Sequence, residues 1–125
     1  MAADCIFCKI VDRSIPAELL HADEHCVAFR DIHPQAPTHV LVVPRLHVRD
    51  LPELCGPGDT GLEADASRQG LPGHLLRVAN RVAQAEGLHE RGFRLVINTG
   101  EHGGQSVAHL HIHVLGKRHL GWPPG

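Results

Sequence analysis

The segment that most constrains the fold is an alternation of histidine and aliphatic residues, His109-Leu110-His111-Ile112-His113-Val114-Leu115. Successive side chains of a β-strand point to opposite faces, so the alternation predicts three imidazoles on one face and aliphatic side chains buried on the other. A slip of one residue would move the histidines into the core, which fixes the register. We predict a strand from Val107 to Leu115.

Hydrophobic periodicity and the turn-forming residues outline the other elements. They predict a helical turn over residues 5–11, strands near 19–20 and over 26–30, 39–43 and 93–98, a loop over 55–73, one long helix covering 75–83, a turn over 100–104, and an irregular tail over 121–125. Pro44 stops the third of these strands, and Gly87 ends the helix. Strands beside strands with one main helix predict an α+β domain built on a mainly antiparallel sheet.

The overall composition narrows the class of protein. A chain of 125 residues with 42% hydrophobic residues and a formal net charge of −2 predicts a single globular domain over residues 1–125, without a polycationic surface for specific nucleic-acid binding. No apolar run approaches the roughly 20 residues of a membrane helix, and the first residues lack the pattern of a signal peptide. We therefore expect no membrane partner and a cytoplasmic location, with the nucleus as an alternative.

Three interpretations of the alternating histidines are open. The simplest is a strand whose polar face happens to consist of histidine. The other two use imidazole near its ordinary pKa of about 6.5, either as a metal ligand or as a nucleophile that attacks phosphorus. The preceding Gly103-Gly104-Gln105-Ser106-Val107 favours the nucleophile, because flexible backbone N–H groups and a hydroxyl can bind phosphate oxygens.

Several separate motifs together resemble the nucleotide-binding branch of the histidine triad (HIT) family. They are the alternating strand with its Gly-Gly-Gln-Ser-Val, the tail Gly121-Trp122-Pro123-Pro124-Gly125, Asp31-Ile32 with Pro34-Gln35-Ala36-Pro37-Thr38-His39, and Ile6-Phe7 followed by Lys9-Ile10. The resemblance implies a five-stranded antiparallel sheet with two helices, and a homodimer whose sheets join across the interface.

The resemblance also implies catalytic roles. His111 matches the nucleophile that forms a nucleotidyl-histidine intermediate, and His113 matches the neighbour that contacts the α-phosphate. Ser106 is placed to help protonate a leaving amine, and His39 resembles an upstream histidine close to the triad. The implied phosphate-binding residues are Asn98, Gly104, Gln105, Ser106, Val107 and His113.

The nucleoside is assigned by the same resemblance. Asp31 matches the acid that accepts hydrogen bonds from both ribose hydroxyls. Trp122 resembles a residue that reaches the partner subunit's site, although a lone exposed tryptophan can equally anchor a tail. The implied base pocket, for which plain core packing is the alternative, comprises Ile6, Phe7, Ile10, Phe29, Ile32 and Leu41.

The pair Cys5-x-x-Cys8 is a common half of a tetrahedral zinc site. The wider family pairs it with histidines that match His47 and His109, which implies a structural zinc, whereas the branch with the Gly-Trp-Pro-Pro-Gly tail usually lacks the second cysteine. The alternative is two reduced thiols. Catalysis itself is expected to need no cofactor.

Taken together, the sequence predicts hydrolysis of purine nucleoside 5′-phosphoramidates, with adenosine preferred, releasing the nucleoside monophosphate. Two alternatives are open. One is hydrolysis of dinucleoside polyphosphates, and the other is a non-catalytic scaffold that binds nucleotide or zinc.

Overall fold

The computed structural model describes residues 4–56 and 70–125. In chain order its elements are α1 (Ile6–Val11), β1 (Leu19–Ala22), β2 (Cys26–Arg30), β3 (Thr38–Pro44), α2 (Leu51–Cys55), α3 (Leu71–Ala85), β4 (Phe93–Val96), α4 (Gly100–Gly103) and β5 (Ile112–Gly116). No helix in the described ranges is both long enough and apolar enough to cross a membrane.

The five strands form one antiparallel sheet in the order β1-β2-β3-β5-β4. This confirms the predicted α+β class and the five-stranded antiparallel sheet. Besides α3, with 15 residues, the described chain has short helices of six, five and four residues, so the helical segments exceed the two that were expected. The last strand in sequence, β5, lies between β3 and β4.

One face of the sheet is covered by α3. The aliphatic side chains of β5, Ile112 and Val114, are almost completely buried there together with Val40 and Val42 of β3. The buried stripe of the helix that packs against them consists of Leu75, Val78, Ala79, Val82 and Ala83. Because the even-numbered positions of β5 are held in this core, its odd-numbered positions must face the other side of the sheet.

The opposite face carries a second, smaller core beneath α1. Phe7 and Ile10 pack against Phe29 and Leu41, and the rings of Phe7 and Phe29 meet edge to face with centroids 5.5 Å apart. The N-terminal helix therefore lies on the same side of the sheet as the histidines of β5.

The predicted strand Val107–Leu115 is shorter than expected, because β5 begins only at Ile112. Ile112 pairs with Val42 at the end of the ladder with β3. Two residues further along β3 lies Pro44, which has no N–H to donate, so pairing cannot continue in register. The N–H of Leu110 instead donates to the carbonyl oxygen of Val48 at 2.8 Å.

Other predicted boundaries also need correction. β4 ends at Val96 and not at Asn98, and the turn over 100–104 contains the short helix α4, which Gly104 ends with a positive φ of 75°. The predicted loop over 55–73 starts on the last residue of α2 and ends inside the first turn of α3, where Pro72 is tolerated because the N–H it lacks would have no helical partner. Residues 57–69 of that loop lie outside the described ranges.

Candidate active site and metal centre

Three histidines meet on the α1 side of the sheet: His39 of β3, His113 of β5, and His111 just before β5. His39 Nε2 lies 2.9 Å from His113 Nδ1, and the rings of His111 and His113 have centroids 4.9 Å apart. His39 and His111 are buried, whereas His113 is half-buried. The structure thus brings together the three histidines that the sequence analysis assigned to catalysis.

The hydrogen bond of His111 defines which of its nitrogens can react. His111 Nδ1 lies 2.8 Å from the carbonyl oxygen of His109. A carbonyl oxygen only accepts, so Nδ1 carries the proton and the lone pair of the neutral ring is on Nε2. No hydrogen bond occupies that Nε2 within the described part of the chain, which leaves its lone pair available for attack.

A chain of hydrogen bonds sets the proton positions on the other two rings. The backbone N–H of Gln35 donates to His39 Nδ1 at 3.0 Å, so a neutral His39 has its proton on Nε2 and donates it to His113 Nδ1. His113 must then carry its own proton on Nε2. That Nε2 is buried and has no hydrogen-bond partner, which is costly unless a ligand supplies an acceptor.

Burial keeps these imidazoles neutral. Desolvation lowers the pKa of His39 and of His111 below the ordinary histidine value, and it lowers the pKa of His113, assisted by the neighbouring His111 and His39, to about 4. Near neutral pH the cluster therefore presents one free lone pair and one free N–H donor.

Asp31 lies immediately beside this cluster. One carboxylate oxygen lies 3.5 Å from His39 Nε2, and the other accepts a hydrogen bond from the backbone N–H of His33 at 2.8 Å. The side chain retains a fifth of its exposure. Asp31 therefore has acceptor capacity left for a ligand near the triad.

The loop between α4 and the triad is partly closed on itself. The N–H groups of Gly104 and Gln105 donate to carbonyl oxygens within the turn, and the Gln105 side chain bonds the backbone of Gly100, Arg49 and Val107. Two of the predicted phosphate donors are thus already engaged in this state. Ser106 makes no hydrogen bond to the described residues, so its hydroxyl and N–H are free for a ligand.

The residues predicted to hold the base fall into two groups. Phe7, Phe29 and Leu41, with Ile10, belong to the small core beneath α1. Ile6 and Ile32 are exposed, by 43% and 81% respectively, which suits a surface against which an apolar ring can stack. The four buried residues therefore belong to the core, and only the two isoleucines present an exposed apolar surface among the predicted set.

Two further predicted residues belong to the end of β4 and to the C-terminal tail. Asn98 follows β4 and is half-buried. The indole of Trp122 is 80% exposed, and the guanidinium of Arg94 lies over it with Cζ 5.9 Å from the ring centroid. The contact with Arg94 supports the anchoring interpretation of Trp122 within one subunit, and its reach toward a partner subunit stays a prediction.

A separate cluster contains the four residues predicted to bind metal. His109 Nδ1 lies 3.3 Å from Cys5 Sγ, 3.6 Å from Cys8 Sγ and 3.0 Å from His47 Nδ1, while His47 Nδ1 lies 3.2 Å from Cys8 Sγ. His109 Nε2 donates to the carbonyl oxygen of Pro44 at 2.9 Å, so the lone pair of this ring is on the nitrogen that faces the sulfurs.

This donor set fits zinc. Bond lengths of about 2.3 Å to sulfur and 2.0–2.1 Å to nitrogen put tetrahedral ligand atoms roughly 3.3–3.8 Å apart, close to the spacing of Cys5, Cys8, His47 and His109. All four ligand atoms lie within 4.8 Å of one another. Bound there, the ion would cross-link the start of α1 to the segment before β5. Burial and the neighbouring Cys5 raise the pKa of Cys8 to about 11, so the thiol stays protonated unless a cation stabilises its thiolate.

The sequence analysis did not assign three groups that position these histidines. They are the N–H of Gln35, the carbonyl of Pro44, and the ring of Phe7, whose edge contacts both His109 and His111 with centroid distances of 5.9 and 5.1 Å. Backbone groups leave no trace in side-chain identity, so only the Pro34-Gln35-Ala36-Pro37 loop beside His39 offered a signal.

Comparison with known proteins agrees with this architecture. The HIT domain family matches residues 12–120, and the chain belongs to the HIT family. It is 51% identical over its full length, and over the full length of the relative, to an uncharacterised HIT-like protein of Synechococcus elongatus. It is also 49% identical over 121 residues, 96% of this chain and 87% of the relative, to a 14 kDa zinc-binding protein of Zea mays.

Solved structures show the same fold. A HIT family hydrolase from Legionella pneumophila matches with a TM-score of 0.84 and 43% identity, covering 98% of this chain and all of that one. A histidine triad protein from Clostridium difficile matches with a TM-score of 0.82 and 36% identity over 96% of each chain. The chain thus shares its fold and family with a protein described as a HIT family hydrolase.

Proposed function

We propose that this protein hydrolyses purine nucleoside 5′-phosphoramidates, preferentially those of adenosine, through a nucleotidyl-histidine intermediate. The observation that carries the proposal is the pairing of two opposite imidazole functions. His111 has a free lone pair on Nε2, and the adjacent His113 has a buried Nε2–H without an acceptor. A phosphoryl group between them would receive the nucleophile from one and a hydrogen bond from the other.

The reaction follows in two steps. His111 Nε2 attacks the α-phosphorus, a P–N bond forms to the imidazole, and the P–N bond to the leaving amine breaks as that amine takes a proton from the Ser106 hydroxyl. Water then attacks the same phosphorus, releasing His111 and the nucleoside monophosphate, and its proton restores Ser106. His113 donates to a non-bridging oxygen throughout, which stabilises the charge that builds up there.

The substrate class is supported by what surrounds the triad. Asp31 has acceptor capacity for a ribose, and exposed Ile6 and Ile32 offer apolar contact for a base. Because stacking on aliphatic side chains discriminates weakly between ring systems, we expect purines to differ little from each other. The proposal includes AMP as product, and Gly104, Gln105, Ser106, Val107 and Asn98 as the phosphate-binding set after the turn adjusts.

The proposal extends to the state of the protein in the cell. None of the four cysteines forms a disulfide, which suits a reducing cytoplasm in which Cys5 and Cys8 remain thiols for zinc.

The strand β4 lies at the edge of the sheet and can pair with a second copy of the chain. We therefore also propose a homodimer in which the two sheets join, with Trp122 reaching the partner subunit.

The deciding experiment measures turnover of an adenosine 5′-phosphoramidate by wild type and His111→Ala. We expect His111→Ala to abolish turnover while it still binds AMP, because only the nucleophile has been removed. A variant that keeps near-normal turnover would contradict the mechanism. Acid-quench trapping of a covalent nucleotide on wild type, absent from His111→Ala, provides the direct signature of the intermediate.

The same preparation separates the two alternatives. A dinucleoside polyphosphate assayed beside the phosphoramidate would show the larger kcat/KM if the protein were a polyphosphate specialist. Absence of both turnover and the covalent nucleotide, with AMP binding retained, would instead identify a binding scaffold.

A further inference from the structure

The two clusters described above use five of the 12 histidines, so seven lie elsewhere. Two of these seven, His21 and His74, converge on one carboxylate, Asp23, at the turn between β1 and β2, and a third, His25, packs its ring against His74. His74 comes from the first half of α3, more than 50 residues further along the chain. The fold therefore brings together a histidine-rich group that the proposed chemistry does not use.

The geometry of this group is compact. His21 Nε2 and His74 Nε2 lie 2.7 and 2.8 Å from the same oxygen of Asp23, Oδ2. The other oxygen, Oδ1, accepts the backbone N–H groups of His25 and Cys26, which fixes the carboxylate in orientation. The ring of His25 stands edge-on to that of His74, with centroids 5.2 Å apart.

The group is open to solvent on one side. The side chains of His21, Asp23 and His74 are 19, 25 and 35% exposed, and that of His25 is 55% exposed. The group therefore lies at the surface of the protein, partly exposed, and not in the core.

We propose that His21, Asp23 and His74 form a second binding site for a divalent transition-metal ion such as Zn²⁺, with His25 able to complete the coordination from the solvent side. Two imidazoles and a carboxylate are suitable ligands for such an ion and leave a position for water. Zinc at ordinary bond lengths would hold each Nε2 about 3.3 Å from Asp23 Oδ2. The present distances from Oδ2 to His21 Nε2 and His74 Nε2 are 2.7 and 2.8 Å, so each must lengthen by about half an ångström. Half-exposed side chains can make that adjustment.

Binding requires only that each ring exchange its proton between nitrogens. In the hydrogen-bonded state His21 and His74 carry the proton on Nε2 and donate it to Asp23. When an ion occupies the site, the proton resides on Nδ1 and Nε2 becomes the ligand. Cys26 also approaches Asp23, with Sγ 3.7 Å from Oδ2, but it is fully buried and burial raises its pKa to about 12, so it remains a thiol that donates to the carboxylate.

This second site differs from the Cys5, Cys8, His47 and His109 cluster in donor chemistry. It contains no thiolate, so it binds more weakly and exchanges its ion more readily. It would join the β1–β2 turn to α3, whereas the first cluster joins α1 to the segment before β5.

The test counts ions per chain by equilibrium dialysis against buffered free Zn²⁺ in the micromolar range, with metal content measured by elemental analysis. The test variant is His21→Gln/His74→Gln, in which glutamine amides can still donate to Asp23. The matched control, His102→Gln/His119→Gln, removes two exposed histidines from elsewhere on the surface. We expect wild type and the control to bind one equivalent more than the test variant.

Two further readouts keep the result interpretable. In protein whose cysteine cluster is already loaded with zinc, excess Zn²⁺ should raise the Tm of wild type and of the control but not that of the test variant, because an ion that binds the folded state stabilises it. With Co²⁺, the thiolate-to-metal charge-transfer band of the cysteine site should persist in the test variant. If the double variant fails to fold, Asp23→Asn, whose amide oxygen can still accept from the turn backbone, takes its place. Equal metal content in wild type and the test variant would overturn the proposal.

Discussion

His109 and His111 are two residues apart, and both are buried, yet they belong to different side-chain clusters. His109 lies in the candidate zinc cluster with Cys5, Cys8 and His47, and His111 lies in the triad with His113. His109 donates from Nε2 to the carbonyl of Pro44 and turns Nδ1 toward two sulfurs, whereas His111 donates from Nδ1 to the carbonyl of His109 and leaves Nε2 free. In each case a backbone carbonyl decides which nitrogen keeps a lone pair. The same side-chain type thus presents a lone pair to a candidate metal cluster in one region and, in our proposal, acts as the nucleophile in the other.

The surroundings of the two rings complete the difference. His109 meets thiols and a second imidazole, which together can surround a cation, while His111 meets the edge of Phe7 and the ring of His113. His109 has no exposed surface, whereas His113, next to His111, is only half-buried. The comparison therefore predicts that a change at His111 lowers activity with little effect on stability. A change in the cluster of Cys5, Cys8, His47 and His109 should lower stability with little effect on activity.

The largest effect is expected from His111→Asn. The asparagine amide can still donate to the carbonyl of His109, so the fold should persist, but the nucleophile is lost. We expect kcat on a phosphoramidate to fall by about 10⁴-fold or more, with a Tm close to that of wild type. Steady-state kinetics beside thermal unfolding measure both, and a large fall in Tm would show that the two regions are not separable.

Disruption of the candidate zinc cluster should instead lower stability and leave kcat nearly unchanged. Removing zinc with a chelator, or changing Cys8→Ser, should cost about 3 kcal/mol in the free energy of unfolding, roughly 10 °C in Tm for a chain of this size. The kcat of the protein that remains folded should change by less than about threefold, since none of Cys5, Cys8, His47 and His109 belongs to the triad. Denaturant unfolding with and without chelator provides the measurement, and loss of kcat without loss of stability would contradict it.

A smaller effect is expected from His39, which acts through its neighbour. His39→Ala removes the donor that holds the proton of His113 on Nε2, and we expect kcat to fall by about 10- to 100-fold with KM nearly unchanged. His39→Gln should recover part of the loss, because its amide can donate to His113 Nδ1. Equal kcat values for the two variants would show that His39 contributes packing alone.

The mildest test is the pH profile. The pKa of His39 is lowered and that of His113 is about 4, so the hydrogen-bond chain between them stays neutral well below pH 6.5. Activity should therefore persist into mildly acidic buffer and decline only as the pH approaches the pKa of His113. The unfolded chain binds these protons near pH 6.5 and the folded chain only at lower pH, so the free energy of unfolding should fall as the pH drops from about 6.5 to 4. Stability that rises over that interval would contradict the assignment.

Most of the fold could be predicted from the sequence where side-chain pattern is sufficient. The alternation after His109 correctly places Leu110, Ile112 and Val114 in the core, and β2 has its predicted bounds, Cys26–Arg30. The predicted start of β5 was wrong because it depends on the neighbouring strand: the pairing of β5 with β3 ends at Val42, two residues before Pro44, and this register exists only in the folded chain.

The candidate site divides in the same way. The spacing of Cys5 and Cys8 suggested half of a metal cluster, but its convergence with His47 and His109 required the packing of α1 against the sheet. His21, His25 and His74 show no motif at all, since they come from a strand, a turn and a helix that only the fold brings together.

The sequence by itself determined which face of β5 carries histidine, because a strand alternates its side chains whatever surrounds it. Only the tertiary structure decided what each histidine can do. The carbonyls of Pro44 and His109 and the N–H of Gln35 assign the protons, and these backbone groups acquire their partners only after the strands have paired.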